Sequence, residues 1–179
     1  MKLKIKVKRI NKNLPLPNII DKGDWIDLRS SETVSFKAPQ AGVLKKRVVN
    51  GQEIPFRDVT FDTKLIKLGI AMELPKGFEA VALPRSSTFK NFGVILANSE
   101  GVIDQSYCGN NDEWRFNAIA FSETEICEGD RICQFKIQLS QKATMWQKLK
   151  WLFSSGVEVV EVDKLGDANR GGIGSTGIE

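Results

Sequence analysis

The sequence contains no histidine, and this absence removes several kinds of active site from consideration. Ser-His-Asp and Cys-His nucleophilic catalysis both need an imidazole, as do the zinc sites that are built on histidine ligands. Any proton transfer must therefore be carried out by a carboxylate, a lysine or a tyrosine.

Cysteines are few and long apolar runs are absent. The three cysteines are odd in number and irregularly spaced, so a disulfide framework is not expected. We therefore expect a reducing, cytoplasmic location. The N-terminus, MKLKIKVKRI, alternates basic and apolar residues and lacks the continuous apolar core of a signal peptide. Because no run approaches the ~18 apolar residues of a membrane span, neither an exported nor a membrane-embedded protein is expected.

The size and charge of the chain restrict its partners. Its 179 residues suit one compact domain that can bury a core without disulfides or a metal ion. The formal net charge is only +4, with 22 acidic residues interspersed among 26 basic ones. This balance could help to attract a polyphosphate, but it differs from the dense basic face of a nucleic-acid-binding protein. Neither a nucleic acid nor a membrane is expected as a partner.

Short apolar runs separated by turn residues dominate the chain. Leu3, Ile5 and Val7 alternate with lysines at a period of two, which is the pattern of a half-buried strand. Further β-branched or aromatic runs, bounded by turns such as PKG, NSEG and EGDR, occupy residues 33–38, 65–74, 78–84, 92–98, 116–121, 132–137 and 157–162. The pattern predicts an all-β sandwich or barrel.

Two further segments predict an insertion into the β-fold and a C-terminal arm that follows it. Residues 42–61 contain an Asn-Gly turn between apolar runs, which indicates an inserted hairpin. We expect a single domain over residues 1–166, followed by a mobile, glycine-rich arm over residues 167–179.

A helix is predicted at about residues 140–155. Met145, Leu149 and Leu152 fall at i, i+4 and i+7, so the segment predicts an amphipathic helix of about three turns, in which Trp146 and Phe153 join the apolar side chains. Packing of this apolar face onto the barrel is the favoured interpretation. Binding to another protein or to a membrane surface is the alternative.

Two turns carry residues that suit phosphate chemistry. In PRSSTFK (84–90), Arg85 lies beside two serine hydroxyls, a combination that suits a phosphate oxygen, although a polar surface turn is the commoner interpretation of such a motif alone. In GVIDQSYCG (101–109), Asp104 follows a Val-Ile pair, where a strand end would hold its carboxylate partly desolvated. Asp104 is therefore a candidate general base, with a turn-capping role as the alternative.

Two further segments are less specific alone. In GDRICQF (129–135), Asp130 and Arg131 could pair with each other, and Gln134 could point to either face of a strand. The C-terminal RGGIGSTG (170–177) combines glycines, two hydroxyls and one arginine, which are the ingredients of an anion nest. It lacks the Gly-Lys-Ser/Thr ending of a Walker loop, and a flexible tail is the alternative.

The order and spacing of these segments resemble the five motifs of the homotrimeric dUTPase family, the deoxyuridine triphosphate nucleotidohydrolases. GDWIDL (23–28) matches the first motif in part, PRSSTFK the second, NSEGVIDQSYCG (98–109) the third, GDRICQF the fourth and RGGIGSTG the fifth. The match covers about residues 23–177 and is especially similar to the subgroup found in Bacillus-type bacteria and their phages.

This resemblance implies a jelly-roll-like β-barrel that forms a homotrimer, with each of three active sites assembled from all three chains. It also implies hydrolysis of dUTP to dUMP and pyrophosphate with Mg²⁺. Asp104 matches the aspartate that activates the water attacking the α-phosphorus. Asp27 matches the aspartate that holds water ligands of the Mg²⁺ ion.

The resemblance also implies which residues bind the substrate. Asn98 matches the asparagine that reads the uracil edge, and Tyr107 matches the tyrosine whose ring packs under the deoxyribose and excludes a 2′-hydroxyl. The triphosphate would be bound by Arg85, Ser86, Ser87 and Gln134, together with Arg170, Ser175 and Thr176 from the tail of another subunit.

One position departs from the family pattern. Most members carry a phenylalanine in the fifth motif that closes over the uracil, whereas this chain has Ile173, which cannot stack in the same way. In the Bacillus-type subgroup an aromatic between the third and fourth motifs takes this role. We therefore predict that Phe116, or else Trp114, covers the base; the alternative is that both are core aromatics on a strand.

Two rival functions are considered. The dCTP deaminases share the barrel but need a catalytic glutamate on the strand after the Asp104 turn, where this chain reads RFNAIAF (115–121) with no acidic residue. A phage-type regulatory protein that keeps the nucleotide site but acts through a partner, bound by the predicted helix, is the second rival.

Overall fold

The computed structural model describes residues 1–19, 23–166 and 169–171. This part of the chain contains fourteen strands and two short helices, so the predicted all-β fold class is confirmed. In chain order the elements are β1 (Leu3–Arg9), β2 (Ile26–Arg29), β3 (Val34–Phe36), β4 (Gln40–Val49), β5 (Gln52–Thr60), β6 (Thr63–Lys67), β7 (Ile70–Glu73), β8 (Phe78–Pro84), α1 (Thr88–Phe92), β9 (Val94–Leu96), β10 (Gly101–Ile103), β11 (Arg115–Ala120), β12 (Thr124–Ile126), β13 (Arg131–Leu139), α2 (Met145–Leu152) and β14 (Val157–Glu161).

The strands form several small sheets around a common core. Their orders are β14-β1-β7, β10-β8-β13-β2 and β6-β11-β9, with two-stranded pairs β12-β3 and β4-β5. Most neighbours are antiparallel, but β1 pairs in parallel with β14, so that Leu3 lies opposite Val157. The first and last strands of the described chain therefore belong to the same sheet.

The alternating pattern of β1 places its apolar side chains in the core and Lys4 and Lys6 in solvent, as predicted. Leu3, Ile5 and Val7 are at most 1% exposed, whereas Lys4 and Lys6 point away from the core and are exposed. The core that these apolar side chains enter is rich in large residues from other parts of the chain: Phe36, Ile66, Met72, Phe78, Trp114, Phe116 and Phe135.

Strands β4 and β5 form a long hairpin on the surface, where the sequence predicts an insertion. Its turn residues Asn50 and Gly51 have φ angles of 52° and 79°, as the two-residue turns of twisted hairpins require. Every residue of the two strands is exposed except the half-buried Phe56.

Helix α2 is shorter than predicted, with eight residues, and is held to the body of the protein at one side. Thr144 and Gln147 form a capping box at its N-terminus. The ring of Trp151 packs against Phe78 with 5.3 Å between centroids. Within the described ranges, no helix is long and apolar enough to cross a membrane.

The predicted packing of the apolar face of α2 onto the barrel is wrong. Met145, Trp146, Leu152 and Phe153 are 68%, 81%, 72% and 76% exposed, and no residue of the helix is buried. Helical periodicity identifies which side chains share a face, but it does not determine whether another element covers that face.

Candidate active site

A cavity of about 370 Å³ opens between the loops that follow β9 and β10 and the strands β8 and β11. Its apolar floor is formed by side chains of the core: Leu68, Ala82, Leu96, Trp114, Phe116 and Cys133. Its polar lining residues are Asn98, Asp104, Tyr107, Glu113, Arg115, Asn117 and Arg170. A mostly apolar cavity of this size with a few polar groups is typical of a small-molecule site.

The turn between β9 and β10 positions Asn98 at the cavity. Ser99 adopts a positive φ of 59°, which folds the chain sharply, and the Asn98 Nδ2 donates a hydrogen bond to the carbonyl oxygen of Glu100 at 3.1 Å. The Asn98 amide is therefore oriented by its own turn and stays exposed at the cavity mouth.

Asp104 follows β10 directly, and its side chain is 55% exposed, so about half of the carboxylate side chain is covered by protein. Arg170 Nη1 donates to Asp104 Oδ2 at 2.6 Å within the same chain. The resemblance implies that Arg170 serves the site of another subunit, whereas in this structure it lies at the cavity of its own chain.

Tyr107 forms part of the cavity wall, and its ring packs against the core. Its hydroxyl donates a hydrogen bond to the Glu113 carbonyl oxygen at 2.9 Å. Burial raises the pKa of the Tyr107 phenol, and the charge of Asp112 raises it further. Because the phenol stays protonated near neutral pH, the cavity carboxylates are better placed than Tyr107 to accept a proton.

Asp112, which the sequence motifs do not single out, organises the turn after Tyr107. Its side chain is 1% exposed and accepts hydrogen bonds from the backbone N–H groups of Gly109 (2.8 Å), Arg170 (3.1 Å) and Gly171 (3.3 Å). Asp112 thereby attaches the start of the C-terminal segment to the cavity. The CGNND turn indicates a capping aspartate, but nothing local indicates a partner 58 residues away.

Trp114 and Phe116 lie in the core, each only 1% exposed, on or beside β11. The Trp114 ring meets Phe135 edge-on at 5.1 Å between centroids. Their burial favours the alternative of core aromatics that line the cavity over a cover for the base. The indole N–H of Trp114 has no hydrogen-bond acceptor among the described residues.

A second group of predicted residues surrounds Asp27, whose side chain is only 12% exposed. Arg85 Nε donates to Asp27 Oδ1 at 2.8 Å, and Arg131 Nη1 donates to Asp27 Oδ2 at 3.0 Å. The suggested Asp130–Arg131 pair does not form, because Asp130 instead accepts a hydrogen bond from the Cys127 backbone N–H at 2.9 Å.

Thr88, also missed from the sequence, fixes the turn that carries Arg85. It is fully buried; its Oγ1 accepts from the Arg85 backbone N–H at 3.0 Å and donates to the Ile132 carbonyl oxygen at 2.7 Å. Ser86 is exposed, and Ser87 is the N-cap of α1 without using its hydroxyl for capping.

The cavity residues and the residues around Asp27 lie on opposite faces of one sheet. Gln134 and Asp27 are directly paired across β13 and β2, so their side chains share a face. Cys133, the residue before Gln134 in β13, points to the other face and lines the cavity. Of the other predicted residues, Ile173, Ser175 and Thr176 lie outside the described part of the chain.

An all-β fold with a mostly apolar cavity of about 370 Å³ and a separate arginine-serine turn suits a nucleotide-binding class of protein. The model of the family described as dUTPase matches residues 54–150. The chain belongs to the dUTPase family, as its motifs predict.

Relatives and solved structures agree with this assignment. The chain is 43% identical, over 177 residues, to the SPbeta prophage-derived deoxyuridine 5'-triphosphate nucleotidohydrolase of Bacillus subtilis (strain 168), covering 99% of this chain and 100% of that protein. The dUTPase from Streptococcus mutans has a similar fold, with a TM-score of 0.59 and 18% identity over 78% of this chain and 98% of that one. A mutant dUTPase of Staphylococcus bacteriophage 80alpha with dUpNHpp matches with a TM-score of 0.55 and 17% identity, over 97% of this chain and 98% of that one.

Proposed function

We propose that this protein is a dUTP diphosphatase, which hydrolyses dUTP to dUMP and pyrophosphate with Mg²⁺ in the cytoplasm. The observation that carries the proposal is the position of Asp104 at the mouth of a nucleoside-sized cavity, together with Asn98 and Tyr107. The full-length similarity to the prophage-derived deoxyuridine 5'-triphosphate nucleotidohydrolase supports the same substrate.

In this proposal the cavity takes the base and the sugar. Asn98 presents its amide at the mouth, where it can read a pyrimidine edge. The Tyr107 ring forms the wall under the sugar, and its hydrogen bond to Glu113 holds the ring in place. A fixed ring in contact with the deoxyribose excludes the additional 2′-hydroxyl of a ribonucleotide.

Asp104 acts as the general base. Its carboxylate is exposed to water and fixed at a strand end, so it can orient a water molecule and accept its proton as the oxygen attacks the α-phosphorus. The bond between the α-phosphorus and the bridging oxygen breaks, and pyrophosphate leaves. Arg170 must release Asp104 when the substrate binds, and its guanidinium is then available to phosphate oxygens.

The triphosphate is bound by Arg85, Ser86, Ser87 and Gln134. In one chain, Gln134 and its neighbour Asp27 face away from the cavity, so these residues meet the cavity of a second copy in a homotrimer. The tail residues Arg170, Ser175 and Thr176 complete the phosphate site.

Mg²⁺ fits the residues that are present. Within residues 1–19, 23–166 and 169–171, no cluster of three or more histidine, cysteine or acidic side chains could hold a metal ion. Mg²⁺ usually keeps several waters and binds through one or two carboxylates and substrate phosphates. Asp27 accepts one arginine hydrogen bond on each oxygen, which leaves further lone pairs for water ligands of the ion. When bound, the ion would neutralise charge on the phosphate oxygens.

Assays of the purified protein distinguish this function from its rivals. We expect Mg²⁺-dependent pyrophosphate release from dUTP and no ammonia release from dCTP, because β11 carries no acidic residue. Asp104→Asn is expected to retain binding of dUpNHpp while losing turnover, and removal of residues 168–179 to reduce turnover. Binding of dUpNHpp by the wild-type protein without pyrophosphate release from dUTP would overturn the proposal in favour of a regulatory nucleotide-binding protein.

A further inference from the structure

Helix α2 presents an apolar surface that the dUTPase reaction does not use. We call Met145, Trp146, Leu152 and Phe153 the α2 face; all four are more than two-thirds exposed. We propose that the α2 face docks the protein on an anionic lipid surface. This inference is independent of the proposed catalytic function.

Helix α2 is fixed to the body of the protein on the side opposite the α2 face. The capping box of Thr144 and Gln147 fixes the N-terminus, Gln147 lies against Gly77, and Trp151 packs on Phe78. Since successive residues are about 100° apart around a helix, Gln147 and Trp151 share one side and the α2 face lies on the opposite side. The helix therefore points its apolar residues away from the body of the protein.

The charged residues of the helix and its flanking segments are all of one sign. Residues 140–156 contain three lysines and no acidic residue. On the helix, Lys148 lies at one border of the α2 face and Lys150 at the other, and both side chains are exposed. Lysines on either side of an apolar stripe with tryptophan and phenylalanine are typical of helices that lie in the interface of an anionic membrane. Their long side chains can reach lipid phosphates while the apolar side chains enter the bilayer.

The N-terminus of the chain extends this surface. The Ser155 backbone N–H donates to the Met1 carbonyl oxygen at 3.1 Å, which brings the first residues beside the C-terminal end of α2. Met1 is 75% exposed, and the exposed Lys2 follows it. Met1 and Lys2 therefore add one apolar side chain and one lysine next to the α2 face.

The chemistry of the α2 face favours lipid over a protein surface. An eight-residue helix offers much less than the roughly 800 Å² per partner of a stable protein interface. A two-fold contact between copies would also bring Lys148 and Lys150 close to their own counterparts, and like charges at short range repel. An anionic bilayer has neither difficulty, because it accepts a small apolar face and attracts both lysines.

Vesicle flotation tests the proposal. The full-length protein is mixed with vesicles of phosphatidylcholine alone, or of phosphatidylcholine with phosphatidylglycerol, and floated through a density gradient at low and high salt. We expect flotation with the anionic vesicles, weaker flotation at high salt and none with phosphatidylcholine alone. No flotation with the anionic vesicles at low salt would overturn the proposal.

Variants then separate the apolar from the electrostatic contribution. Trp146→Ser with Phe153→Ser, and separately Lys148→Gln with Lys150→Gln, are each expected to lower the partition into anionic vesicles roughly tenfold or more. Matched controls on the exposed hairpin, Val43→Ser with Val48→Ser and Lys45→Gln with Lys46→Gln, are expected to float like the wild type. Turnover of dUTP without vesicles should be unchanged in all four, which establishes that they fold.

Other occupants of the α2 face produce different results. If wild-type flotation is absent and the serine variant has fewer subunits by light scattering, the α2 face joins copies of this chain and the lipid proposal is wrong. Equal flotation of the wild type and both α2 variants would also contradict it, because binding would then use another surface.

Discussion

Cys133 and Gln134 are consecutive residues of β13, yet Cys133 lines the cavity while Gln134 faces the other side of the sheet beside Asp27. A strand turns successive side chains to opposite faces, so the fourth motif cannot bring Gln134 into the cavity of its own chain. In the proposed function, the cavity and the arginine group that meet around one substrate therefore belong to two copies of the chain.

Mixing two inactive variants tests this arrangement. We expect Asp104→Asn and Arg85→Ala each to lose most dUTP turnover, and co-refolded mixtures of the two to regain activity. With random assembly and residues drawn from two different chains, about a quarter of the sites contain both native residues. A site built within one chain would regain nothing, because every chain carries one substitution. Pyrophosphate release from the mixture, compared with each variant alone, is the measurement.

Replacing Thr88 is expected to affect both stability and turnover. Thr88→Val leaves the Arg85 N–H and the Ile132 carbonyl without their buried partner, which should lower the free energy of unfolding by about 1–3 kcal/mol. The turn that carries Arg85 then loosens, so KM for dUTP should rise. Thr88→Ser keeps the hydroxyl and serves as the control in urea unfolding and steady-state assays. An equal loss of stability and an equal rise in KM in Thr88→Val and Thr88→Ser would contradict this role of the hydroxyl.

Asp112 is expected to control access to the start of the C-terminal segment. Asp112→Ala removes the acceptor for the backbone N–H groups of Arg170 and Gly171, each hydrogen bond contributing about 1 kcal/mol, so trypsin should cleave after Arg170 roughly tenfold faster or more. Asp112→Asn retains one acceptor oxygen and should be intermediate. The rate is read by mass spectrometry under native conditions, and cleavage at the wild-type rate in Asp112→Ala would contradict the role.

Cys127 and Cys133 should differ in reactivity. Complete burial raises the pKa of the Cys133 thiol far above its ordinary value, so it stays protonated and inaccessible although it borders the cavity. Cys127 is exposed. Brief treatment with iodoacetamide at neutral pH should therefore modify Cys127 first, and Cys133 only after urea is added. Labelling of Cys133 in the native protein at a rate similar to Cys127 would show that the cavity floor opens to solvent.

Stability at acidic pH should depend on Glu161. The hydrogen bond from Arg9 lowers the pKa of the Glu161 carboxyl below its ordinary value. A carboxyl with a lowered folded-state pKa stabilises the fold above its unfolded-state pKa of about 4.3, and this contribution is lost as the pH falls through the folded-state value. Glu161→Gln should thus be less stable than wild type at neutral pH, with the difference shrinking below about pH 4. Thermal unfolding from pH 3 to 7 measures the stability difference between the wild type and Glu161→Gln, and Glu123→Gln, at an exposed turn, is the control. A stability difference that does not change with pH would contradict the role of Glu161.

Local patterns predicted the parts of the fold that depend on neighbours in sequence. The alternation of Leu3, Ile5 and Val7 indicates which face of β1 is buried, and the Asn50-Gly51 pair indicates the hairpin turn. The motif positions at the cavity, Asn98 and Asp104, were likewise predicted from short segments whose order matches the family.

Features that depend on distant contacts escaped prediction. Asp112 acts on Arg170 across 58 residues, and Thr88 acts on Ile132 across 44, so no window of sequence contains both partners. The exposure of Trp146 and the burial of Trp114 also followed from which sheets lie nearby rather than from the residues themselves. Hydrophobic periodicity gave the correct face of α2 but not its surroundings.

The parallel pairing of β1 with β14 has a consequence for biosynthesis. Leu3 lies opposite Val157, so β1 lacks one of its two neighbours until the chain as far as β14 has been translated. The lysines that alternate along β1 keep the unpaired strand charged, which disfavours its pairing with other nascent chains. Completion of the β14-β1-β7 sheet therefore waits for the synthesis of β14, and a chain that stops short of β14 leaves β1 with an open edge.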